Sequence, residues 1–288
     1  MATETNEKAN EPAKKSSQFR DFIQMHPIAT GGAFFIVVLI LASLFAPLPY
    51  DPEAPNPSVG ISPPSADHWF GTDITGGDVF SRTIAAAWVD LSLALAGTFL
   101  SLAIGVPLGL ATSVKKRWSD NLVRGMDAFQ AFPLLILALV LVSLSGNKLY
   151  MVVVAIALIN IPRYMRLIRS EVLTLREARF MEATTAMGVP LPRALRKHVL
   201  PNVMGMITAQ TTLTMANAIV VIATLSFLGI GVAPPTPSWG SMIRAGSSNM
   251  ISGEWWIALF PGLFVLLCVW ILNQLSDAIS DFNTRTTR

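Results

Sequence analysis

The chain has 288 residues, 52% of them hydrophobic and only 14% charged, against roughly a quarter charged in an ordinary soluble domain. A single cysteine, Cys268, excludes a disulfide framework and a cysteine-rich zinc site. With a formal charge of +3 and a mean hydropathy of +0.53, the apolar runs are too long to be hidden in a water-soluble fold, and the composition is that of an integral membrane protein.

The elements follow in chain order. Residues 1–26 form a polar N-terminal tail, and Pro27 to Tyr50 carries no charge, so residues 27–46 are the first predicted span. The polar stretch before this run and Pro47 directly after Ala46 fit an uncleaved anchor better than a signal peptide. Residues 47–87 are predicted as the longest outer loop. Seven prolines between Pro47 and Pro64 keep its first part extended. Asp73 and Asp78 around Gly76 and Gly77 lack the spacing of a calcium loop, so a turn with side-chain caps is expected there.

From residue 88 to 282 a core of five further spans is expected. The uncharged runs are Leu91–Val114, Ala128–Asn147, a weaker one from Leu149 to Leu167 interrupted by Arg163 and Arg166, a fifth ending after Leu228 ahead of Pro234, Pro235 and Pro237, and Trp255–Ser276. Residues 283–288 form a tail. Asp90 is expected in solvent at the outer end of the second span. Gly105 and Gly109, four residues apart beside Pro107, predict a close helix contact and a kink. Lys and Arg sort by side: eighteen fall in the two tails and in the loops after spans two and four, against Arg82, Lys148 and Arg244 in the remaining loops. The positive-inside rule then places both termini in the cytoplasm. The basic charge is accordingly a topology signal and gives no ground for nucleic-acid binding.

Two sets of residues are candidates for function. The inner segment 163–202 is charged yet patterned: Phe180, Ala183, Thr184 and Met187 recur at i, i+3, i+4 and i+7, and Gly188 with Pro190 and Pro192 stops the helix. A second short helix is expected over Pro192–Val199. The patterned helix either docks on a partner or lies on lipid with its arginine flanks at the interface. Asn160 in the fourth span, and Gln210, Thr211, Thr214 and Asn217 in the fifth, either line a pathway or bond between packed helices. Neither a nucleophile with its base nor a histidine cluster converges at one depth, which disfavours a membrane enzyme. No selectivity ring or repeated pore segment suggests a channel. No phosphate-binding G-x-x-x-x-G-K-[ST] loop is present.

Glu182-Ala183-Thr184, then Gly188, then Leu200-Pro201 resembles the EAA signature of permease subunits of bacterial ABC importers, with Thr184 in place of an alanine. Gly71-Thr72-Asp73 through Asp78 and Ser81-Arg82 resembles the outer block of the dipeptide, oligopeptide and nickel permease family. Leu225-Ser226-Phe227-Leu228-Gly229 through Pro234 to Met242 resembles its second block. Gly77 stands where that family usually has arginine, which puts an outer salt bridge at that point in question. The order of blocks resembles the C-type subunit.

The resemblance implies an all-α polytopic protein with six transmembrane helices in the type I importer permease fold. It also implies a bacterial inner-membrane location and pairing with a homologous B-type permease. Two cytoplasmic ATPases would hold ATP and Mg, this chain holding no cofactor or metal of its own. A periplasmic or lipid-anchored binding protein would deliver the solute: di- or oligopeptides, with nickel chelates and opines as alternatives. Arg179–Gly188 is then the coupling helix, with Phe180, Glu182, Ala183, Thr184, Met187 and Gly188 on an ATPase. Glu182 either pairs with an ATPase arginine or caps the adjoining helix. Gly188→Pro and Glu182→Arg are each expected to impair uptake without preventing membrane insertion, checked by an uptake assay beside membrane-fraction immunoblots.

Overall fold

The computed structural model describes residues 21–54, 56–114, 117–176, 187, 193 and 199–286. Eight named helices run through them: α1 Pro27–Phe45, α2 Val79–Thr112, α3 Arg117–Gln130, α4 Leu134–Leu144, α5 Leu149–Arg176, α6 Leu200–Phe227, α7 Trp239–Ser247 and α8 Trp256–Thr286. The β pairing among the described residues is an isolated bridge between Thr72 and Asp78. Five of the helices, α1, α2, α5, α6 and α8, are long and apolar enough to cross a bilayer.

The third span differs from its expected form. Ala128–Asn147 is not one helix: α3 and α4 meet at a break with an 83° bend. The cause is local. Pro133 has no N–H and disfavours helical backbone at Phe132, so the chain must leave one helix and start another. Pro133 is the N-cap residue of α4, with extended backbone. The helix before the break carries Arg117, Asp120, Arg124 and Asp127 and reads as a surface element; the eleven residues after it are wholly apolar apart from Ser143.

The fourth span is not cut short by its arginines. The helix α5 continues unbroken for 28 residues through Arg163, Arg166 and Arg169. Tyr164, Met165, Ile168 and Val172 along the same stretch are fully buried, and the guanidinium groups find partners described below. The second span also begins well before its charge-free run, because Asp78 caps a helix at Val79. At about 1.5 Å per residue its 34 residues extend about 51 Å.

The core is organised by α2 against α5. A Cβ at Gly97 would lie 2.7 Å from the Cβ of Ile156, one at Gly105 2.6 Å from that of Tyr164, and one at Gly109 2.6 Å from that of Ile168. The offset is 59 residues at all three places, so the two helices run parallel and in step. This is the small-residue packing used where lipid supplies no hydrophobic drive between helices, and it includes the contact predicted at Gly105 and Gly109.

Around this pair, α6 and α8 close through Ser276 Oγ donating to the Ala209 carbonyl at 2.8 Å. On the other side α1 leans on α8 and α2: Gly32 faces Ile271, and Ser43 Oγ donates to Ala85 O at 3.2 Å. One apolar cluster joins Ile36, Leu91, Ile156, Ile219, Trp239 and Ile271.

Gly109→Val is expected to destabilise the chain by about 1–3 kcal/mol, since the added carbons meet Ile168 and the Met165 carbonyl. Gly125→Ala on the open face of α3, where nothing lies within 4 Å, is expected to gain about 0.5–1 kcal/mol. Melting temperatures in one detergent compare the two.

Candidate functional site

The outer loop folds into a self-satisfied cap. Gly71 and Gly76 hold positive φ angles, +75° and +74°, that turn the chain tightly. Asp73 Oδ1 accepts from Thr75 N at 2.8 Å, Thr75 Oγ1 at 2.7 Å and Gly77 N at 3.0 Å. Asp78 Oδ2 accepts from Ser81 N at 2.8 Å and Ser81 Oγ at 2.7 Å, the N-cap of α2. Its Oδ1 lies 2.9 Å from His68 Nδ1, whose ring packs 4.5 Å from that of Tyr50. Trp256 Nε1 donates to the Thr72 carbonyl at 3.1 Å and Phe70 stacks on Phe260 at 4.0 Å, tying the cap to α8.

The aspartates therefore form turns and caps, as their spacing predicts. Gly77 has no side chain to make the salt bridge in question, and the ion pair found in this turn is a different one: Arg82 Nε lies 3.3 Å from Asp73 Oδ2.

The second outer block makes a wedge. Ser238 caps α7 in a capping box with Ser241. Gly240 presses on the Ala223 carbonyl of α6 and Gly246 on Ala258 of α8, where any Cβ would collide. Trp239 is fully buried, and its Nε1 donates to Thr83 O at 2.9 Å.

Here the expectation for Asp90 fails. It is 1% exposed, and its Oδ2 accepts from the backbone N–H of Trp239 at 2.8 Å. A carboxylate against the first turn of α7 meets an N–H that has no partner within the helix. Nothing in the local sequence pattern signals this, since the partner is 149 residues away.

The candidate lining residues separate. Asn160 is buried, its Nδ2 donating to Ile156 O at 2.8 Å and its Oδ1 accepting from Arg163 Nη1 at 3.3 Å. Thr214 is buried and receives Gln210 Nε2 at 3.2 Å. Tyr164 OH donates to Thr211 Oγ1 at 3.1 Å, a bond between α5 and α6. Asn217 alone of the five candidates in α5 and α6 is exposed, with its Nδ2 on Leu213 O at 3.0 Å. Of the candidate coupling residues, Met187 is an exposed turn residue. Phe180, Glu182, Ala183, Thr184 and Gly188 lie outside the described residues, as does most of the predicted Pro192–Val199 helix.

The C-terminal end of α5 holds a group that composition alone treats as topology charges. Arg166 Nη1 is 3.3 Å from Asp127 Oδ1, and its Nη2 donates to Gln130. Arg169 Nη2 donates to Asp120 Oδ1 at 2.9 Å, while Nη1 reaches Ser119 Oγ and the Thr112 carbonyl. The available signal was spacing: arginines three apart on one helix facing aspartates seven apart on another share one face each. Among the described residues no group of three or more His, Cys, Asp or Glu is placed to hold a metal ion.

Residues 101–288 match the family described as the inner membrane component of binding-protein-dependent transport systems. A dipeptide transport system permease protein of Alkalihalophilus pseudofirmus is 37% identical over 90% of this chain and 86% of its own length. The chain belongs to this permease family. A putative peptide permease protein of Brucella suis is likewise 37% identical, over 92% of this chain and 95% of its own. A chain of the inward-facing MetNI methionine ABC transporter shares the fold, with a TM-score of 0.59 at 16% identity, covering 73% of this chain and 98% of that one.

The protein is thus a multi-pass permease subunit of an ABC importer, a class that works with a partner ATPase and further subunits. In this permease the two outer blocks act on architecture: the first caps α2 and the second seats α7 against it. Asp90→Leu leaves the Trp239 N–H buried without an acceptor, a cost of about 1–3 kcal/mol. That variant is expected to melt lower in detergent and to be cut faster by protease between residues 247 and 254. Asp90→Asn, which keeps a carbonyl oxygen for that N–H, is expected to stay near wild type in both measurements.

Proposed function

We propose that this permease forms half of the translocation pathway of a peptide importer in the inner membrane of a bacterium. The observation that carries the reading is the 37% identity, over nine-tenths of the chain, to a protein named for dipeptide transport. The other half of the pathway is a homologous B-type permease. Two cytoplasmic ATPases bind ATP and Mg, and a periplasmic or lipid-anchored binding protein hands over the peptide. This chain carries no catalytic residue and no cofactor.

Both termini are cytoplasmic, the orientation favoured by the eighteen-to-three distribution of Lys and Arg. The cap over residues 47–78 is then periplasmic, and the arginines of α5 lie at the cytoplasmic end. Segment 163–202 is the coupling region. Ala183 and Thr184 are small enough for a close approach to an ATPase, and Phe180 and Met187 serve as apolar anchors, since a few buried side chains carry most of an interface. Glu182 caps the adjoining helix, with an ATPase arginine as its alternative partner, and Gly188 stops the coupling helix. Asn217 on the exposed face of α6 supplies a carboxamide to the pathway, because an amide facing lipid would be costly. Asn160, Gln210 and Thr214 support it from within the bundle.

The test is purification of the chain with its partners and reconstitution into proteoliposomes. Labelled dipeptide is expected to accumulate only with both ATP and the binding protein present. Accumulation of a nickel chelate or an opine, with no peptide uptake, would reassign the solute; failure of any ATPase to co-purify would defeat the assembly.

A further inference from the structure

Two helix ends meet at one guanidinium. The last carbonyls of a helix have no partner within it, and Thr112, the final residue of α2, presents one of them to Arg169 Nη1. Ser119 Oγ donates to the same carbonyl from the first turn of α3. Asp120, also in that first turn, takes Nη2. The electrostatics agree: a cation sits at the negative end of α2, and a carboxylate near the positive end of α3. Thr112 and Ser119 are fully buried, and the Arg169 side chain is 20% exposed. Arg166 differs, since it and Asp127 are each about half exposed, and such pairs contribute little.

Position gives this junction its importance. Arg169 follows Ile168, which touches Gly109 at the innermost of the three glycine contacts. Seven residues further on α5 ends, at Arg176, and the chain continues toward the proposed coupling helix before returning as α6 at Leu200. A displacement applied to segment 177–188 acts first on the inner end of α5. The glycine contacts resist sliding of α2 past α5, but at the cytoplasmic end α3 touches neither helix through such contacts. It is joined to α2 by the short connection after Thr112 and by Ser119 Oγ on the Thr112 carbonyl, and to α5 by the guanidinium of Arg169, reinforced at the surface by Arg166.

We propose that Arg169 is a positioning residue for energy coupling: by binding the end of α2 and the start of α3 at once, it makes them move with the inner end of α5. The inference rests on the coupling-segment reading above. A residue that merely closed a helix end would, when removed, lower stability and leave the solute moved per ATP unchanged. A coupling residue lowers that ratio.

The experiment uses the complete transporter, with partner ATPases and binding protein, in proteoliposomes. In Arg169→Ala the solute transported per ATP hydrolysed is expected to fall about tenfold, within the span of a single coupling free energy, while hydrolysis itself persists. Arg166→Ala is expected to leave the ratio unchanged.

A second form of the chain, Arg169→Cys with Asp120→Cys, is joined in the membrane by a short thiol crosslinker before extraction. Cys268 is buried and does not compete. Joining is expected to restore the ratio, and cleaving the crosslinker to remove it again. An unchanged ratio in Arg169→Ala, or a loss that the crosslink does not recover, overturns the proposal. Absence of ATP-driven uptake in the wild-type complex would instead count against the importer reading on which it rests.

Discussion

The structure depends on how closely α2 approaches α5. Within lipid, two apolar helices gain nothing from hiding surface from water, so association rests on contact and on hydrogen bonds. Gly97, Gly105 and Gly109 remove the side chains that would hold the backbones apart, and a constant offset keeps the two helices in step. This approach brings Tyr164 within reach of Thr211 on α6 and Arg169 within reach of the end of α2. It also makes α2 the frame to which both ends of the molecule are fastened.

At the outer end the fastening is by carboxylates. Asp78 caps α2, Asp73 holds the preceding turn, and Asp90 holds the first N–H of α7. At the inner end it is by an arginine on the terminal carbonyl of the same helix. Acceptors thus meet N–H groups at helix starts, and a donor meets a carbonyl at a helix end, as the orphan groups of helix termini require. The residues that look most like ligands in the sequence are used up in this bookkeeping of backbone groups, which is why the conspicuous outer motifs form a cap.

What was legible from sequence alone follows the range of the interaction. The apolar spans in outline, the stop ahead of Pro234, the small-residue contact at Gly105 and Gly109 and the turns at Asp73 and Asp78 are local or periodic, and these are read directly. The bend at Pro133 was legible in principle, but an uncharged run of twenty residues masked it. The arginines of α5 misled, because a charge in an apolar run reads as a boundary unless its partner is known, and Asp120 and Asp127 lie about forty to fifty residues away. Asp90 misled for the same reason across a longer gap. The polar residues of α5 and α6 could not be sorted into bonded and exposed until the helices were placed: Asn160 and Thr214 are turned inward, and Asn217 outward.

The contrast between α1 and α5 bears on how the chain is made. The most apolar stretch of α1 has a mean hydropathy of 2.5 and only 17% of it is buried in protein; that of α5 has 1.7, and 61% is buried. The first helix is therefore suited to enter lipid unaided as it leaves the ribosome. The helix whose apolar stretch is most buried in protein carries four arginines, Arg163, Arg166, Arg169 and Arg176, in its second half. It packs on α2, which offers it three glycine gaps and the helix-end carbonyl of Thr112. The first helix thus faces mostly lipid, whereas the later one sits in a site shaped by the glycines of α2.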